Sequence, residues 1–157
     1  MKKSFVLIVS IAALTIAVLT ISAVSSASVS KKKPVAIEGT WQLESYKYGP
    51  AQSGFIDVQE NRVRLKVINK TNFIWVDYNP ETGRVTESAG GTYSLIGNTY
   101  TESLEFGLGM DTYLGKKPVF TVKIEGDMLF QTGLLTDGYK IEEIWHRVNA
   151  GEKTGNN

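Results

Sequence analysis

This sequence predicts an all-β domain, an antiparallel up-and-down barrel of about eight strands. Three observations carry that prediction. Short segments alternate apolar and polar residues between residues 37 and 148, and no helical period of useful length interrupts them. Two-residue Gly-Asn and Gly-Asp loops join neighbouring segments. Closure into a barrel is favoured over a tight sandwich because it leaves no strand edge unpaired.

Residues 39–48 alternate, and taking Trp41 as inward puts Leu43 and Ser45 on the same side. In residues 62–70, Val63, Leu65 and Val67 oppose Arg64, Lys66 and Ile68. Residues 73–78 are aromatic and β-branched, with Phe73 and Trp75 expected to point inward, and Asn79-Pro80-Glu81-Thr82-Gly83 makes the following turn. Asp77, Asp111, Asp127 and Asp137 are read as residues in or beside turns, with no calcium-loop spacing. Residues 91–96 meet 99–106 across Gly97-Asn98, and residues 119–125 meet 128–132 across Gly126-Asp127. After a turn at 133–138, residues 139–148 form the last strand. Residues 107–117 break the rhythm with three Gly among Leu108, Met110, Tyr113 and Leu114. They read either as a lid or portal, or as a wide connection that tucks its own side chains away.

The chain has 157 residues, enough for one core. Its 17 Lys and Arg face 16 Asp and Glu, and no basic stripe suits nucleic acid. The lack of Cys excludes disulfides, thiol nucleophiles and thiolate metal sites, and a single His excludes His-rich ones. That His146 falls on the face opposite Trp145 and is expected at the surface. No metal, cofactor or catalytic residue is therefore assigned.

Residues 1–27 read as a signal peptide: Lys2 and Lys3, an apolar run over 5–21, then small residues ending in Ser25-Ser26-Ala27. Cleavage after Ala27 is expected. The alternative is an uncleaved anchor followed by Lys31, Lys32 and Lys33, the one route to a membrane that the sequence offers. Both readings place the domain outside the cytoplasm. Residues 28–36 read as a linker, 37–148 as the barrel and 149–157 as a tail.

Gly39-Thr40-Trp41 opens the first strand, and Trp145-His146-Arg147 closes the last. A Gly-x-Trp with a basic residue on the final strand resembles the lipocalin, or calycin, signature. Residues 91–102, 120–127 and 141–145 extend the likeness to secreted lipocalin-like domains of Bacteroidetes. The resemblance implies that Trp41 plugs the closed end of the barrel, that Arg147 lies across it, and that Gly39 permits close packing there. The domain is shorter than typical lipocalins and lacks a C-terminal helical pattern.

Alternation sets Tyr100, Glu102, Leu104 and Phe106 on one face, and Tyr139, Ile141, Glu143, Trp145 and Arg147 on another. A carboxylate on an apolar face must be paired, protonated or solvated by cavity water. One reading pairs Glu143 with Arg147 and bonds Glu102 to tyrosine hydroxyls. The other makes them polar anchors of a pocket. The expected binding set is Phe73, Trp75, Tyr93, Tyr100, Glu102, Phe106 and Glu143, taking a small, largely hydrophobic ligand without catalysis. Two alternatives stay open: a solid barrel serving protein interaction, and an enzyme using Glu102 and Glu143 as an acid–base pair.

Overall fold

The computed structural model describes residues 36–135 and 137–149; the expected signal peptide, the tether through residue 35 and the tail from residue 150 lie outside them. Nine strands follow in chain order: β1 (Gly39–Tyr48), β2 (Ile56–Asp57), β3 (Val63–Ile68), β4 (Asn72–Tyr78), β5 (Val85–Ile96), β6 (Thr99–Leu108), β7 (Val119–Glu125), β8 (Met128–Leu134) and β9 (Lys140–Arg147). Every pairing is antiparallel, and β1 pairs with both β3 and β9, so β1 and β3–β9 close an eight-stranded up-and-down barrel. The short β2 was not expected. It pairs Ser45 and Tyr46 on the edge of β1 that β3, paired only to Gly39–Gln42, leaves open.

Turn chemistry sets the hairpins. Gly97 and Gly126 take φ of 63° and 61° while Asn98 and Asp127 stay at negative φ, so glycine alone supplies the primed-turn geometry. The Asn79 side chain accepts from the Glu81 and Thr82 amides, and Gly83 closes that turn at φ 67°. The strand after it begins at Val85, six residues earlier than its apolar pattern suggested, because Val85, Glu87 and Ser88 pair with Tyr78, Asp77 and Val76 of β4 despite the polar stretch, with Thr86 bulged between.

Two bulges shift the alternation read from sequence. On β1, Glu44 is an extra residue between Leu43 and Ser45, which oppose Trp145 and Ile144. Beyond it Tyr46 and Tyr48, not Ser45, face the interior. On β6, Glu105 is extra between Leu104 and Phe106, which oppose Gly91 and Gly90. Phe106, expected inside, therefore lies outside, half exposed at 50%. Its ring rests where a Cβ on Gly90 would stand.

The closed end is sealed as expected. Trp41 and Arg147 are register partners, with the guanidinium 4.0 Å from the indole centroid. Arg147 donates Nη1 to the Glu38 carbonyl at 2.8 Å and Nη2 to the Ala36 carbonyl at 2.7 Å, and the Trp41 indole N–H donates to the Ile37 carbonyl at 2.8 Å. Above this floor pack Leu43, Ile68, Phe73, Tyr100, Leu129 and Trp145. Gly39 is the keystone. At φ 142° it has no Cβ where one would stand 2.4 Å from Arg147 Nη1. A Gly39→Ala change should cost about 2 kcal/mol in urea denaturation. Gly97→Ala, at positive φ but in open space, should cost about 1 kcal/mol.

Candidate functional site

Above the packed floor a layer of charge crosses the barrel. Lys66 from β3 is buried at 2% exposure and donates to Glu102 Oε1 at 3.1 Å and to Gln131 Oε1 at 3.0 Å. Its ammonium also lies 4.8 Å from the Trp145 ring centroid. Gln131 in turn donates to Glu143 Oε2 at 3.2 Å, as does the Trp145 indole N–H at 3.2 Å, and the Tyr48 hydroxyl donates to Glu143 Oε1 at 2.5 Å. Arg64 reaches the same network, with Nη1 3.1 Å from the Tyr48 hydroxyl and 3.7 Å from Glu143.

Arg64 also anchors a second cluster. It donates Nε and Nη2 to Asp77 at 2.9 and 2.5 Å, and Nη2 to Glu87 at 3.1 Å, while its guanidinium lies 4.4 Å from the Trp75 ring centroid. Arg62 donates Nη2 to Asp77 at 2.6 Å. Asp77 is thus no turn residue; it is 1% exposed and held by two guanidiniums.

Burial shapes the titration of these groups. Loss of water pushes Glu102 above the usual glutamate range, with Lys66 pulling the other way. Burial first and the Glu143 carboxylate second raise the Tyr48 hydroxyl. Burial and then Glu102 raise the Tyr100 hydroxyl.

Over this layer opens a cavity of about 470 Å³. Trp75, Leu104, Phe120, Ile141 and Trp145 make its apolar wall, and Glu102, Gln131 and Glu143 its polar one. Tyr46, Tyr48, Met110, Tyr113, Leu135 and Tyr139 also line it. Residues 107–117 pack back on the barrel. The return leg continues the edge of β6, with the Gly115 amide donating to the Leu104 carbonyl at 2.8 Å and the Leu104 amide to the Lys116 carbonyl at 3.2 Å. The outer leg brings Met110 and Tyr113 to the cavity, and the Tyr113 hydroxyl donates to Asp137 Oδ2 at 2.8 Å, tying this loop to the one before β9.

Of the expected binding set, Trp75, Glu102 and Glu143 line the cavity together. Phe73 and Tyr100 are buried in the packed floor, and Tyr93 packs beside it with its ring 5.2 Å from that of Tyr100. Phe106 is outside the barrel. The expected Arg147–Glu143 pair does not form, because Arg147 is committed to Trp41 and two carbonyls while Glu143 sits a layer higher with Arg64. Glu102 takes Lys66 as its ion-pair partner, with the Tyr100 hydroxyl beside the carboxylate. Arg64 and Lys66 are the residues that sequence reasoning missed. Their signal was the need of two inward carboxylates for counter-charge, and the 62–70 segment offered bases at alternate positions.

Residues 36–154 match the family described as a domain of unknown function (DUF4488). A crystal structure of an uncharacterized protein from Bacteroides eggerthii DSM 20697 is similar at 15% sequence identity and a TM-score of 0.49, over 71% of this chain and 98% of that chain. No curated protein matches.

The Lys66–Glu102 pair yields a pH-dependent test. A Lys66→Met change leaves a buried carboxylate without its cation and should cost about 3 kcal/mol near neutral pH. Without Lys66, the already raised Glu102 pKa rises further. The native state then keeps a proton that the unfolded chain releases, so stability falls as pH climbs above the ordinary glutamate range. Urea denaturation should show a smaller deficit at about pH 5 than at about pH 8.

Proposed function

The chain belongs to the family described as a domain of unknown function (DUF4488), and we propose that it binds a small, largely hydrophobic molecule inside its barrel. The cavity of about 470 Å³ carries this reading. It falls within the size range of small-molecule sites, and like them it sets a few fixed polar groups in an aromatic and aliphatic wall. Trp75, Phe120, Ile141 and Trp145 would desolvate the ligand, with the mouth tyrosines orienting its polar end. Covering some 200 Å² of apolar ligand surface contributes about 5 kcal/mol before association costs.

The likeness of the Gly39-Thr40-Trp41 and Arg147 closure to that of lipocalins supports the same reading, since barrels of eight strands hold side chains or one small ligand. The acid–base alternative needed an uncommitted carboxylate pair, whereas Glu102 and Glu143 lie in ion pairs with Lys66 and Arg64. In this proposal the protein acts outside the cytoplasm, delivered there by residues 1–27.

Calorimetric titration with decanol should give a saturable response at one molecule per barrel. Ile141→Trp, which narrows the cavity from β9, should weaken binding about tenfold or more, equivalent to about 1.4 kcal/mol. Val67→Trp on the outer face should leave it unchanged. No saturable response to decanol or to other apolar ligands such as heme would sink the reading.

A further inference from the structure

The charges around the cavity are not balanced. Deep in the wall Lys66 and Glu102 neutralise one another. Higher up, two guanidiniums, Arg62 and Arg64, face three carboxylates, Asp77, Glu87 and Glu143. Both guanidiniums already serve carboxylates: Arg62 gives Nε and Nη2 to Asp77, and Arg64 divides its donors among Asp77, Glu87 and Tyr48. Their flat faces are used as well, Arg64 over Trp75 and Arg62 over Tyr46. A ligand carboxylate entering here would find Arg64 engaged on Asp77, Glu87 and Tyr48, and Arg62 already holding Asp77. It would compete with Asp77 for these guanidiniums while approaching Glu87 and Glu143, two like charges beside a poorly polarisable wall.

Glu87 is the open member of the group. Its side chain is 47% exposed and lines the cavity, and one of its oxygens, Oε2, accepts from Arg64 Nη2 at 3.1 Å. Apolar wall lies within reach through Leu104, Phe120 and Ile141.

We infer that the cavity takes its ligand as an organic cation, with an apolar body inside the barrel and an ammonium group beside Glu87, and discriminates against anionic amphiphiles. This rests on the binding reading above and narrows it. The selection works through repulsion as much as attraction: the surplus acid draws an ammonium and opposes a carboxylate of the same tail length.

The test holds the tail constant and changes the head group. Decylamine, decanol and decanoate are titrated calorimetrically into the same protein at neutral pH. Decylamine should bind about tenfold tighter than decanoate, with decanol between them, and its advantage should shrink as salt is raised. Glu87→Gln, a substitution at a half-exposed side chain, should lower decylamine affinity about threefold and narrow the amine-to-alcohol ratio. Decanoate binding as tightly as decylamine, or tighter, overturns the inference while leaving the binding reading in place. An unchanged amine-to-alcohol ratio in the Glu87 variant overturns the placement of the cation. Silence from all three probes overturns the binding reading and this inference together.

Discussion

The stacking of Arg147 on Trp41 is the constraint on which this barrel depends. A curved sheet of eight strands can close only if the first and last meet in register, and here the two residues that meet at the narrow end are the indole and the guanidinium. The contact does more than join two strands. Arg147 also gathers the carbonyls of Glu38 and Ala36, so the chain entering β1 is fixed against the end of β9. That arrangement needs room, and Gly39 provides it by having no side chain to obstruct Nη1. The Gly-x-Trp pattern thus reflects one steric fact: the glycine makes space for the group that covers the tryptophan.

With the narrow end filled by aromatic and aliphatic side chains, the barrel changes character halfway up. Burying Lys66, Glu102, Arg64, Asp77 and Glu143 gains little net stability, since desolvation offsets most of the attraction. What such a layer does is fix geometry, because its members are tied to one another by hydrogen bonds across several strands. Gln131 shows this best. Its amide accepts from Lys66 and donates to Glu143, joining two ion pairs that would otherwise stand apart. The layer also sets the depth of the cavity, because the space above it is not filled by further packing.

Much of this was legible in the sequence. The hairpin turns announced themselves through glycine at positions that need positive φ, and Gly97 and Gly126 fell where they were expected. The closing pair was legible too, because its residues sit at the ends of their strands. Inward and outward faces were legible only as far as the alternation ran unbroken. Glu44 and Glu105, each inserted opposite a single partner residue, reset the phase of β1 and β6. Nothing in a count of apolar and polar residues marks such an insertion, so Tyr46 and Tyr48 were missed and Phe106 was placed on the wrong side. Arg64 and Lys66 were hidden for a different reason. Hydrophobic patterning sends bases outward, and only the carboxylates on distant strands explain why these two turn in.

The tie across the mouth has a kinetic consequence. Tyr113 and Asp137 hold two loops together through one solvent-exposed hydrogen bond, an interaction worth about 1 kcal/mol. A latch so slight releases and re-forms many times faster than a tightly held guest would leave. If the barrel holds a ligand as proposed, its residence is set by the cavity wall beneath this tie and not by the tie itself.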